Sequence, residues 1–334
     1  MSNISLEITK FRGNYAHLNQ PYTHLEVSKL EMMLASITLG FRSWSEPDIL
    51  SWRSLIHRFG LGLSSISYLE EDEELWRRHS SYAHLDGSEK GAMSYWQGMI
   101  FAKVIAEKKL DIPWLIHADS LTKSGQLIRA TKSKKGDFMG RDINQKWHSI
   151  EAKGRSNSVE KGLIKHAKKQ AKSIKKTSPI QATTASVCLS SILKSGIKIR
   201  LIDPPIDQNS NSESPDYRII AEKYYEGSFS YFDFVNKSFP LISSDQKRLS
   251  KLKLVGSYFF NPYTNRIYII ALSNEVSDSQ LTINTTKIDI SKNIDRLWEG
   301  CNYAVSEDGH VLIELQIDKT YLDKIIKYHK ATNV

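Results

Sequence analysis

The stretch Gly136–Arg155, GDFMGRDINQKWHSIEAKGR, limits what this chain can fold into more than any other. Phe138 and Met139 suit one strand, and Trp147, His148, Ser149 and Ile150 a second. Asp142, Ile143, Asn144 and Gln145 between them carry turn chemistry, because Asp and Asn tolerate tight bends. A turn centred on Asn144 sets Asp137 opposite Glu151, and cross-strand partners share a face with Cβ atoms roughly 5 Å apart. Alternation then puts Lys153 on that face and turns Ala152 away. A slip of one residue would send every side chain to the opposite face.

Two carboxylates beside an ammonium are the parts of a metal-dependent phosphodiesterase. A hard cation such as Mg²⁺ takes one or two carboxylates, several waters and a substrate phosphate as ligands, and Lys153 is placed to stabilise charge on the phosphoryl group or to position the attacking water. The same spacing also suits an amphipathic surface hairpin with a cross-strand Glu–Lys pattern. Asp142 is the competing acid, but in this register it lies opposite Lys146, roughly 17 Å along the strand from Glu151, and reads as a turn residue. Glu107-Lys108-Lys109 and Asp245-Gln246-Lys247 repeat the acid-x-Lys spacing without the apolar strand before it.

These residues resemble the active-site hairpin of the PD-(D/E)xK nuclease superfamily, the restriction-endonuclease-like fold. Asp137 matches the family's metal-binding Asp, and Glu151 with Lys153 matches the (D/E)xK half. Gly136 stands where the motif's name has Pro, a variable position. The WH-x-x-EAKGR run also resembles uncharacterised bacterial members. The resemblance covers roughly residues 91–205. It implies Mg²⁺ or Mn²⁺ on Asp137 and Glu151, and a DNA endonuclease of bacterial restriction or phage defence. Relatives often carry a Gln on the helix after the ExK strand, directed at the site. Gln170 is the polar residue on the apolar stripe of that helix here; an edge-of-core amide bonded to backbone is the alternative.

Charge supports a polyanion as partner. The chain carries +9 overall. Leu121–Lys176 alone holds sixteen Lys and Arg against four acids, so the rest is slightly acidic. A basic zone around an acidic site is the footprint of a nucleic-acid binder; a solvated lysine-rich surface is the plainer reading. From about Ser158 to Lys175 a helix is expected. Lys161, Lys165, Lys168, Lys172 and Lys175 fall on one face of it, and Leu163, Ala167, Gln170 and Ile174 on the other. With Arg141 and Arg155, the lysines Lys161, Lys165, Lys168 and Lys172 are the candidate phosphate contacts.

The 334-residue chain reads as three regions. Residues 1–90 read as helical, with helices over Leu25–Gly40 and after Ser45-Glu-Pro-Asp, and an exposed acidic helix over Leu69–Arg78. Residues 91–207 read as the α/β core: a helix over Ala92–Leu110, strands at Trp114–His117 and in the hairpin, then strands Ala185–Leu189 and Ile197–Ile202, forming a central mixed sheet flanked by helices. Glu107 on that first helix reads as exposed, and Asp119 is a weak candidate acid. Gln208–Pro215 reads as a linker. Residues 216–334 read as an α+β recognition or interaction module, with a helix over Arg218–Tyr225, strands Leu254–Phe260, Arg266–Leu272 and Val311–Ile317, and a closing helix over Tyr321–His329.

With 40% hydrophobic residues, no membrane-length apolar run and no signal-peptide h-region, the expected setting is cytoplasmic with no membrane. Cys188 and Cys301 fit reduced thiols and form no zinc pattern. The chain has no Walker A loop, so ATP-driven steps fall to a partner protein supplying ATPase or recognition activity. The resemblance adds a homodimer. Two alternatives stay open: a nuclease acting on RNA or branched repair intermediates, and a non-catalytic nucleic-acid-binding or scaffold protein that kept the fold.

Overall fold

The computed structural model describes residues 2–39, 52–72, 74–123, 136–142, 144, 146–157, 161–173, 182–203, 217–261, 266–273 and 286–315. Its first ninety residues overturn the purely helical expectation. They supply β1 (Ser2–Thr9), β2 (Gln20–Val27), α1 (Lys29–Thr38), α2 (Trp52–Ser67), β3 (Leu69–Asp72) and β4 (Leu75–Arg78). Along β1, buried Ile4, Leu6 and Ile8 alternate with half-buried polar residues, a period of two that only a strand satisfies. The helix expected from Leu25 begins at Lys29. Leu25–Val27 is strand, and Ser28 caps α1 with Glu31 bonding back to its backbone N–H.

Leu69–Arg78 is a hairpin, not an exposed helix. Trp76 is buried and donates its indole N–H to the Val27 carbonyl at 2.7 Å, while Arg77 pairs across the strands with Glu70 and Asp72. Cross-strand charge pairing lets so acidic a segment sit in a sheet.

The middle of the chain follows the expected order. Helix α3 (Gly87–Leu110) is capped by Asp86 and precedes β5 (Trp114–His117), the short α4 (Ala118–Lys123), β6 (Phe138–Arg141) and β7 (Trp147–Arg155). Then come α5 (Lys161–Ser173), β8 (Ala182–Leu193) and β9 (Gly196–Ile202). Among the described residues nine strands form one mixed sheet, in the order β3-β4-β1-β9-β8-β7-β6-β5 with β2 also on β1. Strands β5, β6 and β7 form an antiparallel meander, β8 runs parallel to β7 after the α5 crossover, and β9 runs antiparallel to β8 and parallel to β1.

Helices cover both faces of this sheet. Ala167 and Ala171 of α5 pack on Ala185, Val187, Leu189 and Ile202. On the opposite face α3 lies against β7 at a glycine contact: a Cβ on Gly154 would come 1.7 Å from the Ser94 carbonyl oxygen, and one on Gly98 would come 2.5 Å from the Gly154 nitrogen. Gly154 is therefore a strand residue that lets a helix approach.

The C-terminal region is α+β, as expected. It consists of α6 (Tyr217–Ser238), α7 (Ser243–Lys251), β10 (Leu254–Asn261), β11 (Arg266–Ser273), α8 (Thr286–Leu297), β12 (Asn302–Val305) and β13 (His310–Glu314). Its antiparallel sheet has the order β10-β11-β13-β12. One side shares the main core through Tyr231, Phe232, Phe259 and Leu312.

A buried polar network ties the two sheets together. Lys103 of α3 pairs with Glu107 at 2.8 Å and Asp308 at 3.3 Å, and Tyr224 donates to Asp308 at 2.6 Å. Glu107, expected to be exposed, is instead turned into this network. The expected Gln208–Pro215 linker, the expected helix start at Ser45 and the expected Tyr321–His329 helix lie outside the described residues. Cys188 and Cys301 are both free thiols, and no helix among the described residues is long and apolar enough to cross a membrane.

Candidate active site on the β6–β7 hairpin

The hairpin adopts the expected register. Phe138 pairs with Ile150, Met139 with Ser149, Gly140 with His148 and Arg141 with Trp147. Continued by one residue, this sets Asp137 against Glu151. The Asp137 carbonyl accepts from the Ala118 N–H at 2.9 Å, and its Oδ2 accepts from the Ala152 N–H at 3.0 Å. Asp137 is thus fixed from the start of α4 on one side and from β7 on the other. Lys153 bonds to Glu151 Oε1, and its Nζ lies 3.9 Å from Asp137 Oδ2. The structure therefore brings together the three residues that the spacing singles out.

The electrostatics of this trio are unbalanced. Glu151 is fully buried, and its Oε2 is buried with no hydrogen-bond partner. Leaving such an oxygen unpaired costs roughly 1–3 kcal/mol, more for a charged group. Burial first, and the charge of Asp137 second, push the Glu151 carboxyl up to about 8. Burial also raises Asp137, against the pull of Lys153, and Asp119 on α4 adds further negative charge. One ammonium faces two carboxylates it does not neutralise. The unpartnered Oε2, a second carboxylate within its field and oxygen-only donors fit a hard divalent cation. Asp137 and Glu151 are the residues that would hold it.

Helix α5 divides into two flanks. With Ala167 and Ala171 facing the sheet, helical geometry puts Lys168 and Lys172 on the flank above β9 and β1. Gln170 falls on the other flank, toward β7 and β6. Gln170 is buried, and the Ser149 hydroxyl beside it donates to the Ala171 carbonyl at 2.9 Å. It therefore sits on the side of α5 that faces the Asp137–Glu151–Lys153 trio. The single lysine face expected of this helix is not what forms: Lys165 is exposed, Lys168 and Lys172 are half-buried, and Lys175 lies outside the described residues. Lys161 opens the helix. Arg141 and Arg155 share the face of Glu151 at opposite ends of the hairpin, about 26 Å apart along the strand.

Asp142 closes the turn, as expected, accepting from the Lys146 N–H at 2.7 Å. It does more than that. Its Oδ2 accepts from the Tyr15 hydroxyl at 2.9 Å and lies 3.2 Å from His148 Nε2, while His148 Nδ1 lies 2.9 Å from Thr184 Oγ1. Burial opposes the Asp142 charge, but the bonds from His148 and Lys146 outweigh it and hold the carboxyl below its ordinary range. Sequence reasoning missed this pair. The signal was the strand alternation, which sends His148 to the face away from Glu151. Comparison with family models, with curated proteins and with solved structures finds no match to this chain.

Proposed function

We propose that this chain is a metal-dependent nuclease of the PD-(D/E)xK type that hydrolyses DNA phosphodiester bonds, an endonuclease of the restriction or phage-defence kind. The observation that carries the reading is the buried, unpartnered Glu151 Oε2 beside Asp137 and Lys153 on adjacent strands. The α3–β5–α4–β6–β7–α5–β8 order around the hairpin, with β7 and β8 parallel, also supports it.

Asp137 and Glu151 would hold Mg²⁺ or Mn²⁺, which supplies Lewis-acid polarisation of the phosphoryl group and a more acidic bound water. The protein's own contribution is placement. The Ala152 N–H fixes the Asp137 carboxylate, burial keeps bulk water from Glu151, and Lys153 is the cation available to a phosphate oxygen as charge builds there. Lys153 remains part-exposed, so it can leave Glu151 for an incoming phosphate. Gln170, on the facing flank of α5, is the amide that would orient a water or a phosphate oxygen.

The test is plasmid cleavage by the wild type and by Lys153→Ala in Mg²⁺, in Mn²⁺ and in EDTA. Metal-dependent nicking or linearisation that disappears in the variant is the expected result. Duplex binding without cleavage in either metal would leave a non-catalytic binder instead.

A further inference from the structure

The far flank of α5 carries a charge cluster that the hairpin does not use. By register, Lys153 on β7 pairs with Leu189 on β8, Leu189 with Arg200 on β9, and Arg200 with Glu7 on β1. Lys153 and Arg200 thus lie in one row on one face of the sheet, two strands or about 10 Å apart, with α5 packed over the residues between them. Ala167 and Ala171 pack on Ile202, which pairs with Thr9 of β1, so Lys10, the next residue, comes to the flank of α5 that carries Lys168 and Lys172, with Arg200 on the same face of β9.

Two carboxylates face the same ground, and both are engaged. Glu7 pairs with Arg200 at 2.7 Å, and buried Asp203 accepts from the Ala185 N–H at 3.0 Å. Four cations therefore share this ground with two carboxylates, of which Glu7 is already paired with Arg200. Lys10 also holds a left-handed backbone, φ 71°, where glycine or asparagine would be the cheaper residue. Folding alone gains nothing from crowding lysines against one another in this way, whereas an anion seated among them does.

We propose that Lys10, Lys168, Lys172 and Arg200 form a second anion site that takes a backbone phosphate of the nucleic acid engaged by the hairpin. The strand then crosses α5, over exposed Lys165 and Lys169, rather than running along it. The proposal rests on the nuclease reading for the identity of the polyanion.

The experiment measures binding of a labelled DNA duplex by anisotropy in EDTA, as a function of salt, together with thermal melting. Lys10→Gln/Lys168→Gln is compared with wild type and with Lys251→Gln, an exposed lysine on α7. Each phosphate contact adds about 0.9 to the slope of log affinity against log salt. The double variant is expected to lose about 2 from that slope and about tenfold in affinity at low salt, with melting unchanged or slightly higher. Lys251→Gln should match wild type. Should the double variant melt early, Lys168→Gln and Lys172→Gln singly should each lose about one contact's worth of slope. Wild-type affinity and slope in folded variants would overturn the second site and leave the nuclease reading standing. A wild type that binds no duplex at any salt would instead remove the reading on which the proposal rests.

Discussion

Glu151 should make the protein less stable as pH rises, and Glu151→Gln should remove that dependence. The folded carboxyl titrates at about 8, against an ordinary 4.5. Between those values the folded chain keeps a proton that the unfolded chain has released, so stability falls as pH climbs through the window. At ~1.4 kcal/mol for each tenfold change in proton affinity, the ceiling is roughly 5 kcal/mol. Asp137 shares the local field and Lys153 is part-exposed, so about 2 kcal/mol is the working figure. For a chain of this size that is about 4 °C in melting temperature.

The assay is thermal melting of wild type and Glu151→Gln in EDTA from pH 5 to pH 9. The variant should gain on wild type progressively, with most of the change between pH 5 and pH 8. Mg²⁺ at pH 8 should then close the gap by stabilising only wild type, by about 2.7 kcal/mol at a hundredfold excess over its dissociation constant. A gap that stays constant across pH would mean that Glu151 holds no displaced proton, and the electrostatic argument for a cation would fail with it.

Lys153→Met should abolish metal-dependent cleavage, by a factor of at least ~100, and lower stability at pH 8 more than at pH 5, as paired melting curves would show. Gly154→Ala forces a Cβ against the Ser94 carbonyl. It should cost about 1–3 kcal/mol in denaturant unfolding and reduce cleavage by displacing the strand that carries Lys153. Lys103→Met strips the ammonium from buried Asp308 and Glu107 and should cost roughly 3–5 kcal/mol. Limited proteolysis should then release the C-terminal sheet first.

The hairpin was legible because its information is local. The register needs only the turn centre at Asn144 and a period of two, and Asp137, Glu151 and Lys153 follow from it. The first ninety residues were not, because their strands are long-range. β1 reaches its place by pairing with β9, nearly two hundred residues later, and nothing near Ser2–Thr9 in sequence announces that partner. Leu69–Arg78 misled for a different reason. Its acids suggested solvent, yet Arg77 neutralises two of them across the hairpin and Trp76 anchors it to β2. Lys10 and Arg200 joined the basic surface only once the sheet order set β9 and β1 beyond β8, on the flank of α5 that carries Lys168.

Three buried acids in this fold show why the hairpin differs from a structural motif. Asp142 accepts from Tyr15 and the Lys146 N–H and pairs with His148, and its carboxyl is held low. Asp308 is fully buried too, and Lys103, His310 and Tyr224 together overcome its burial and depress it strongly. The fold thus satisfies a buried carboxylate where structure alone requires one. At Glu151 it does not: one oxygen has Lys153, the other has no partner, and a second raised carboxyl stands beside it. A surface hairpin would have turned this acid to water at no cost. Keeping it buried, beside a second carboxyl and half-satisfied is destabilising unless something that binds there compensates. A divalent cation is the species whose charge and oxygen preference match what Asp137 and Glu151 offer.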